Sequence, residues 1–134
     1  MSMTVTPPNG AIVWRDLSVP DAAGLREFYT QVAGWTFTEV EMPGYQDYCA
    51  VDESGETVAG LCHARGENSG MPPLWLFYIQ VDDVHARAAR CVELGGTLLD
   101  GPRAMGKWVF CVIRDPAGAV CALIGDQETP HAIR

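Results

Sequence analysis

The order of apolar and polar positions along the chain changes period several times, and each change marks an element. From Ala11 to Val19 the residues are β-rich, with Val13, Leu17 and Val19 on one parity, which predicts a half-buried strand. Pro20-Asp21 ends it. Asp21 suits a helix N-cap, because its carboxylate can accept from the unpaired N–H groups of the first turn. Ala22, Leu25, Phe28 and Val32 then recur at near-helical spacing until Gly34 supplies a stop. Strands are predicted at Trp35–Met42, Tyr45–Val51 and Thr57–His63, separated by Pro43-Gly44 and Asp52–Gly55.

The same order then returns. Leu74–Val81 reads as a strand, Asp83 as a second N-cap, and Val84, Ala88 and Cys91 as the buried stripe of a helix running to Gly95-Gly96. Strands follow at Thr97–Asp100, Lys107–Arg114 and Ala119–Ile124. Asp115-Pro116-Ala117-Gly118 lies between the last two, with the residues a tight turn demands. Laying the chain on itself at an offset of 62 residues pairs Val19 with Val81, Asp21 with Asp83, Gly34 with Gly96, Gly44 with Gly106, Cys49 with Cys111, Val58 with Val120 and Leu61 with Leu123. Glu53 with Asp115 and Val51 with Ile113 are conservative matches at that offset, and no gap is needed. The expected fold is α+β: two βαβββ units forming a curled mixed sheet around a cleft, with the helices outside. Residues 1–10 are expected to be a disordered leader, 11–66 the first unit, 67–73 a Gly- and Pro-rich linker, 74–125 the second unit and 126–134 a tail, within one domain overall.

Composition narrows the function classes. At 134 residues, 48% hydrophobic and 19% charged, the chain is globular and can bury about two-thirds of its unfolded surface. No apolar run approaches the roughly 18 residues that cross a bilayer, and the first ten residues lack the features of a secretory signal. A net charge of −8 argues against a nucleic-acid partner, which needs a basic stripe. It is compatible with a cationic ligand, although solubility alone accounts for it. The cysteines Cys49, Cys62, Cys91, Cys111 and Cys121 are odd in number and match no zinc spacing, so reduced core thiols in a cytoplasm are expected.

Several segments carry a family resemblance. Val19-Pro20-Asp21 followed by Phe28-Tyr29 and Gly34-Trp35 resembles the first helix of the glyoxalase/bleomycin-resistance/dioxygenase superfamily, the vicinal oxygen chelate proteins. Val81-Asp82-Asp83-Val84 through Gly95-Gly96 resembles its second helix, and Asp115-Pro116-Ala117-Gly118 its turn before the last strand. The resemblance covers residues 11 to 125 and points to a bacterial subgroup. It implies a cleft whose metal ligands, in metal-dependent members, stand on the first and last strands of each unit. The matching positions here are Trp14, Gly60, Leu76 and Ala122, and none of these side chains can bind a metal. His63, His85 and His131 lie elsewhere, so no metal and no cofactor is expected.

Side chains sharing parity with those four positions should line the cleft. They are Trp14, Asp16, Ser18, Leu76, Tyr78 and Gln80 on the first strands, and Val58, Gly60, Cys62, Val120, Ala122 and Ile124 on the last. Tyr48 and Trp108 are further candidates. Trp14 and Tyr78 could stack a planar ligand, and Asp16 and Gln80 could orient its polar atoms. The first functional reading is a binding protein for a small, partly aromatic or hydrophobic molecule. The alternatives are a metal-independent isomerase or lyase using Asp16 or Tyr78, and a structural or regulatory dimer without a ligand. A homodimer is expected, with the cleft either within one chain or shared between two.

Overall fold

The computed structural model describes residues 6–66 and 69–127. Two compact units divide the chain, one of residues 14–75 and one that joins residues 76–127 to the segment before residue 14. Each is a βαβββ unit.

In the first unit the elements are β1 (Ile12–Val19), α1 (Ala22–Ala33), β2 (Thr36–Met42), β3 (Tyr45–Val51) and β4 (Thr57–His63). The strands run in the order β2-β3-β4-β1, with β4 parallel to β1 and antiparallel to β3. A parallel pair needs a crossover, and α1 supplies it. Asp21 caps α1 as expected, its Oδ1 accepting from the Gly24 N–H at 2.9 Å. Gly34 closes the helix in the left-handed region (φ 76°), donating to the Thr30 carbonyl at 3.1 Å. The buried stripe differs from the expected one. Ala22, Leu25 and Tyr29 pack on Leu17, Tyr48, Leu61 and Phe37, whereas Phe28 and Val32 are exposed. Positions 22, 25 and 29 share one helical face, and 28 and 32 share the next.

The second unit contains β5 (Leu76–Gln80), α2 (Val84–Glu93), β6 (Thr97–Met105), β7 (Trp108–Arg114) and β8 (Val120–Asp126), in the order β5-β8-β7-β6. Val84 and Ala88 of α2 pack on Val81, Val109, Cys111 and Leu123. Asp83 caps α2 by accepting from the Ala86 N–H at 3.1 Å. β6 runs past the expected end at Asp100 to Met105 and contains Pro102. Pro102 is tolerated there because β6 is the strand furthest from β5 in this unit's order.

Asn9 and Gly10 were expected in a loose leader, but they are tied to the second unit. The Gly10 N–H donates to Gln80 O and the Gln80 N–H to Ala11 O, both at 2.7 Å, while Asn9 Oδ1 accepts from the Asp82 N–H at 2.8 Å. The expected linker's Glu67 and Asn68, and His131 in the tail, lie outside the described residues.

The repeat carries one extra residue. Val51 pairs with Thr57 and Ala50 with Ala59, leaving Val58 as a β-bulge, whereas Arg114 pairs with Val120 and Ile113 with Cys121 with nothing left over. In β3 the first unit therefore aligns with the second one residue further on than the uniform offset gives, while β1 keeps that offset. Asp52 is the true counterpart of Asp115. Its Oδ1 accepts from the N–H groups of Ser54 and Glu56, as that of Asp115 does from Ala117 and Ala119.

Candidate functional site

The face of each sheet away from its helix carries most of the residues singled out in the sequence. In the first unit, the parallel register sets Asp16 beside Gly60 and Ser18 beside Cys62. Trp14 precedes them on the same face, and its indole lies over Gly60. A Cβ at Gly60 would stand 3.3 Å from Trp14 Cζ2 and 3.1 Å from Asp16 Cβ. A side chain there would make the ring give way by a few tenths of an ångström. Cys62 is half-buried: desolvation first, and then the nearby Asp16 and Asp47 carboxylates, push its thiol well above the ordinary range. It is therefore a protonated, unreactive thiol at neutral pH.

In the second unit, Tyr78 pairs with Ala122 and Gln80 with Ile124, the registers that mirror Asp16–Gly60 and Ser18–Cys62. Leu76, Tyr78, Gln80 and Ala122 are all buried. The Tyr78 ring lies 6.2 Å from that of Phe110, tilted by 51°. The Arg103 guanidinium covers Phe110 at 4.6 Å and grips the Asp100 carboxylate, with Nε–Oδ1 at 3.1 Å and Nη2–Oδ2 at 3.0 Å. Sequence reasoning missed Asp100, Arg103 and Phe110. The register shifts on either side of Asp100 break the alternation of β6, so no sequence pattern exposes the pairing of Arg103 with Phe110. Trp108 is 37% exposed at the turn end of β7, with the Lys107 ammonium 5.1 Å from its ring.

Tyr48 is placed differently. It is buried in the helix-side core with Leu17, Ala22 and Leu61, under the Arg26 guanidinium at 4.3 Å. His63 turns Nδ1 toward Asp47 Oδ1 (3.4 Å), which also accepts from the His63 N–H at 2.8 Å. That arrangement fastens β4 to β3 at its end.

The four positions that the family resemblance assigns to metal ligands hold an indole, a glycine, a buried leucine and a buried alanine. No lone pair is available from any of them, and the indole occupies the space over Gly60. These residues do not fit a metal ion. Among the described residues, no three His, Cys, Asp or Glu side chains cluster in a way that could hold one elsewhere.

Comparison with known proteins agrees with this architecture. A family model described as a glyoxalase-like domain matches residues 12–124. The anthracycline biosynthesis protein DnrV of Streptomyces peucetius is 33% identical over 127 residues, covering 85% of this chain and 46% of that protein. The putative glyoxylase CFP32 of Mycobacterium tuberculosis is 34% identical over 113 residues, covering 82% and 43%. The chain thus spans about half the length of the curated relatives it matches. Among solved structures, a Streptomyces coelicolor methylmalonyl-CoA epimerase in complex with 2-nitronate-propionyl-CoA superposes with a TM-score of 0.56 at 17% identity, covering 91% of this chain and 98% of that one. Methylmalonyl-CoA epimerase from Mycobacterium tuberculosis gives 0.56 at 16%, covering 92% and 93%. At those identities the likeness is one of fold. The family model spans nearly every described element, and the chain belongs to the glyoxalase-like family of the vicinal oxygen chelate superfamily.

Proposed function

We propose that this protein binds a small, planar, partly aromatic molecule on the sheet face bearing Trp14 and Asp16, without a metal ion. The observation that carries the reading is the Trp14 indole lying across Gly60, a position that the family resemblance assigns to a metal ligand. An indole face offers stacking area to a flat ring, and the neighbouring Asp16 carboxylate favours a ligand with positive charge. The name of the anthracycline biosynthesis relative supports a fused-ring ligand, anthracyclines being flat polycyclic compounds. In this reading the protein is a cytoplasmic homodimer that sequesters or carries its ligand.

Proflavine, a flat cationic dye, tests the idea by quenching of tryptophan fluorescence, alongside elemental analysis and melting with nickel, cobalt, zinc and ferrous iron. Saturable quenching that disappears in Trp14→Leu, with no bound metal and no metal-induced rise in Tm, is expected. Stoichiometric metal with strong stabilisation, or quenching indifferent to Trp14→Leu, would overturn the reading.

A further inference from the structure

On the opposite side of the first unit's sheet, where the C-terminal half of α1 meets the start of β2, five aromatic residues gather around one corner. Tyr29 stacks on Trp35 with centroids 5.3 Å apart, and Phe37 meets the edge of Trp35 at 6.2 Å. Trp75 stands nearly perpendicular to Trp35 (76°, 5.7 Å) and donates its indole N–H to the Tyr29 hydroxyl at 3.1 Å. Phe28 packs edge-on against Tyr29. A hydrophobic plug would close over its own rings. This one leaves an open cleft of about 440 Å³, lined by Trp35, Trp75, Val58, Ala59 and Arg15.

The sequence explains the opening. Phe37, Ala50 and Ala59 are successive cross-strand partners, so two methyl side chains form a low floor between larger neighbours. The bulge at Val58 falls beside that floor. Arg15, the exception to the apolar pattern of β1, is the one charged residue among the described residues lining the cleft, and it is anchored by donating from Nη1 to the Val58 carbonyl at 3.1 Å. The indole N–H of Trp75 is already spent on Tyr29, so Arg15 sets the polarity of the cleft. A guanidinium repels a cation and pairs with a carboxylate.

We propose that this corner is a second small-molecule site, taking a one- or two-ring aromatic carboxylate whose ring packs against Trp35 and Trp75 and whose carboxylate meets Arg15. It is independent of the Trp14 face, and its chemistry is the reverse: anionic ligands rather than cationic ones.

The test uses the whole chain labelled with ¹⁵N, its indole resonances assigned by single Trp→Phe variants, and 2-naphthoate as the probe. Saturable shifts of Trp35 and Trp75, with Trp14 and Trp108 still, are expected. Arg15→Gln should weaken binding about tenfold, the loss of one charge-assisted contact, without lowering the melting temperature. Trp14→Leu should leave it unchanged, and 2-naphthylmethylammonium should bind far more weakly. The proposal fails if 2-naphthoate gives no saturable shift at millimolar concentration, moves Trp14 or Trp108 instead, or binds no better than the ammonium compound. It fails equally if Trp35 and Trp75 shift with protein concentration alone, since a second copy of the chain would then be the occupant.

Discussion

A methyl group at position 60 would press on Trp14 Cζ2 and Asp16 Cβ at 3.3 and 3.1 Å, closer than ordinary contact. Gly60→Ala should therefore cost about 1 kcal/mol, because the indole and Asp16 must give by a few tenths of an ångström. Urea denaturation checks it, and a variant as stable as the parent would mean that the ring moves freely. The thiols make a second residue-level case. Burial pushes Cys111 from its ordinary 9.0 up to about 11, since a thiolate there would lose its hydration. A raised pKa means that the folded state holds its proton longer than the unfolded one. The associated stability is full below about pH 9 and drains away as the pH rises toward 11. Melting temperatures should hold steady to pH 8.5 and then fall, and Cys111→Ala should fall less steeply over that window. Equal slopes would show that the titration lies elsewhere.

At the scale of elements, caps and turns were legible because they depend on local chemistry. Asp21, Asp83 and Asp115 each accept the backbone N–H groups that their positions suggest. Asp21→Ala should destabilise the protein by about 1 kcal/mol, and Asp21→Asn by much less, read from chemical denaturation. What escaped the sequence depended on tertiary pairing. Phe28 and Val32 fit a helical period as well as Leu25 and Tyr29 do, and only the position of the sheet decides which pair is buried. The bulge at Val58 is silent in a uniform self-alignment, since residues beyond it still match at the original offset. It is also why Tyr48, whose structural counterpart is the fully buried Cys111, belongs to the core. The facing of the first-strand residues was readable because β1 and β5 alternate without interruption. The Asp100–Arg103 pair was not, because Pro102 reads as the end of a strand and β6 continues through it.

For the molecule as a whole, the repeat in the sequence and the division into units do not coincide at the start. The described residues before Trp14, the start of β1 among them, group with the second repeat although the rest of β1 belongs to the first. The tie is a short ladder: Gly10 and Ala11 exchange backbone hydrogen bonds with Gln80, and the Asn9 side chain accepts from the Asp82 N–H, just before the cap of α2. Sequence alone reads this stretch as a leader, because its Pro-Pro-Asn-Gly run has no period and no apolar face. A leader could be altered without consequence; a segment that satisfies the backbone at the end of β5 could not. Asn9→Ala should cost about 0.5–1.5 kcal/mol, the net worth of one hydrogen bond. Its local signature is sharper than its effect on stability. Native-state hydrogen exchange at the Asp82 amide should accelerate at least tenfold, while the Gln80 amide, held by the backbone of Ala11, should change far less. Unchanged protection at both amides would return Asn9 to the leader, and the second unit would then begin at Leu76.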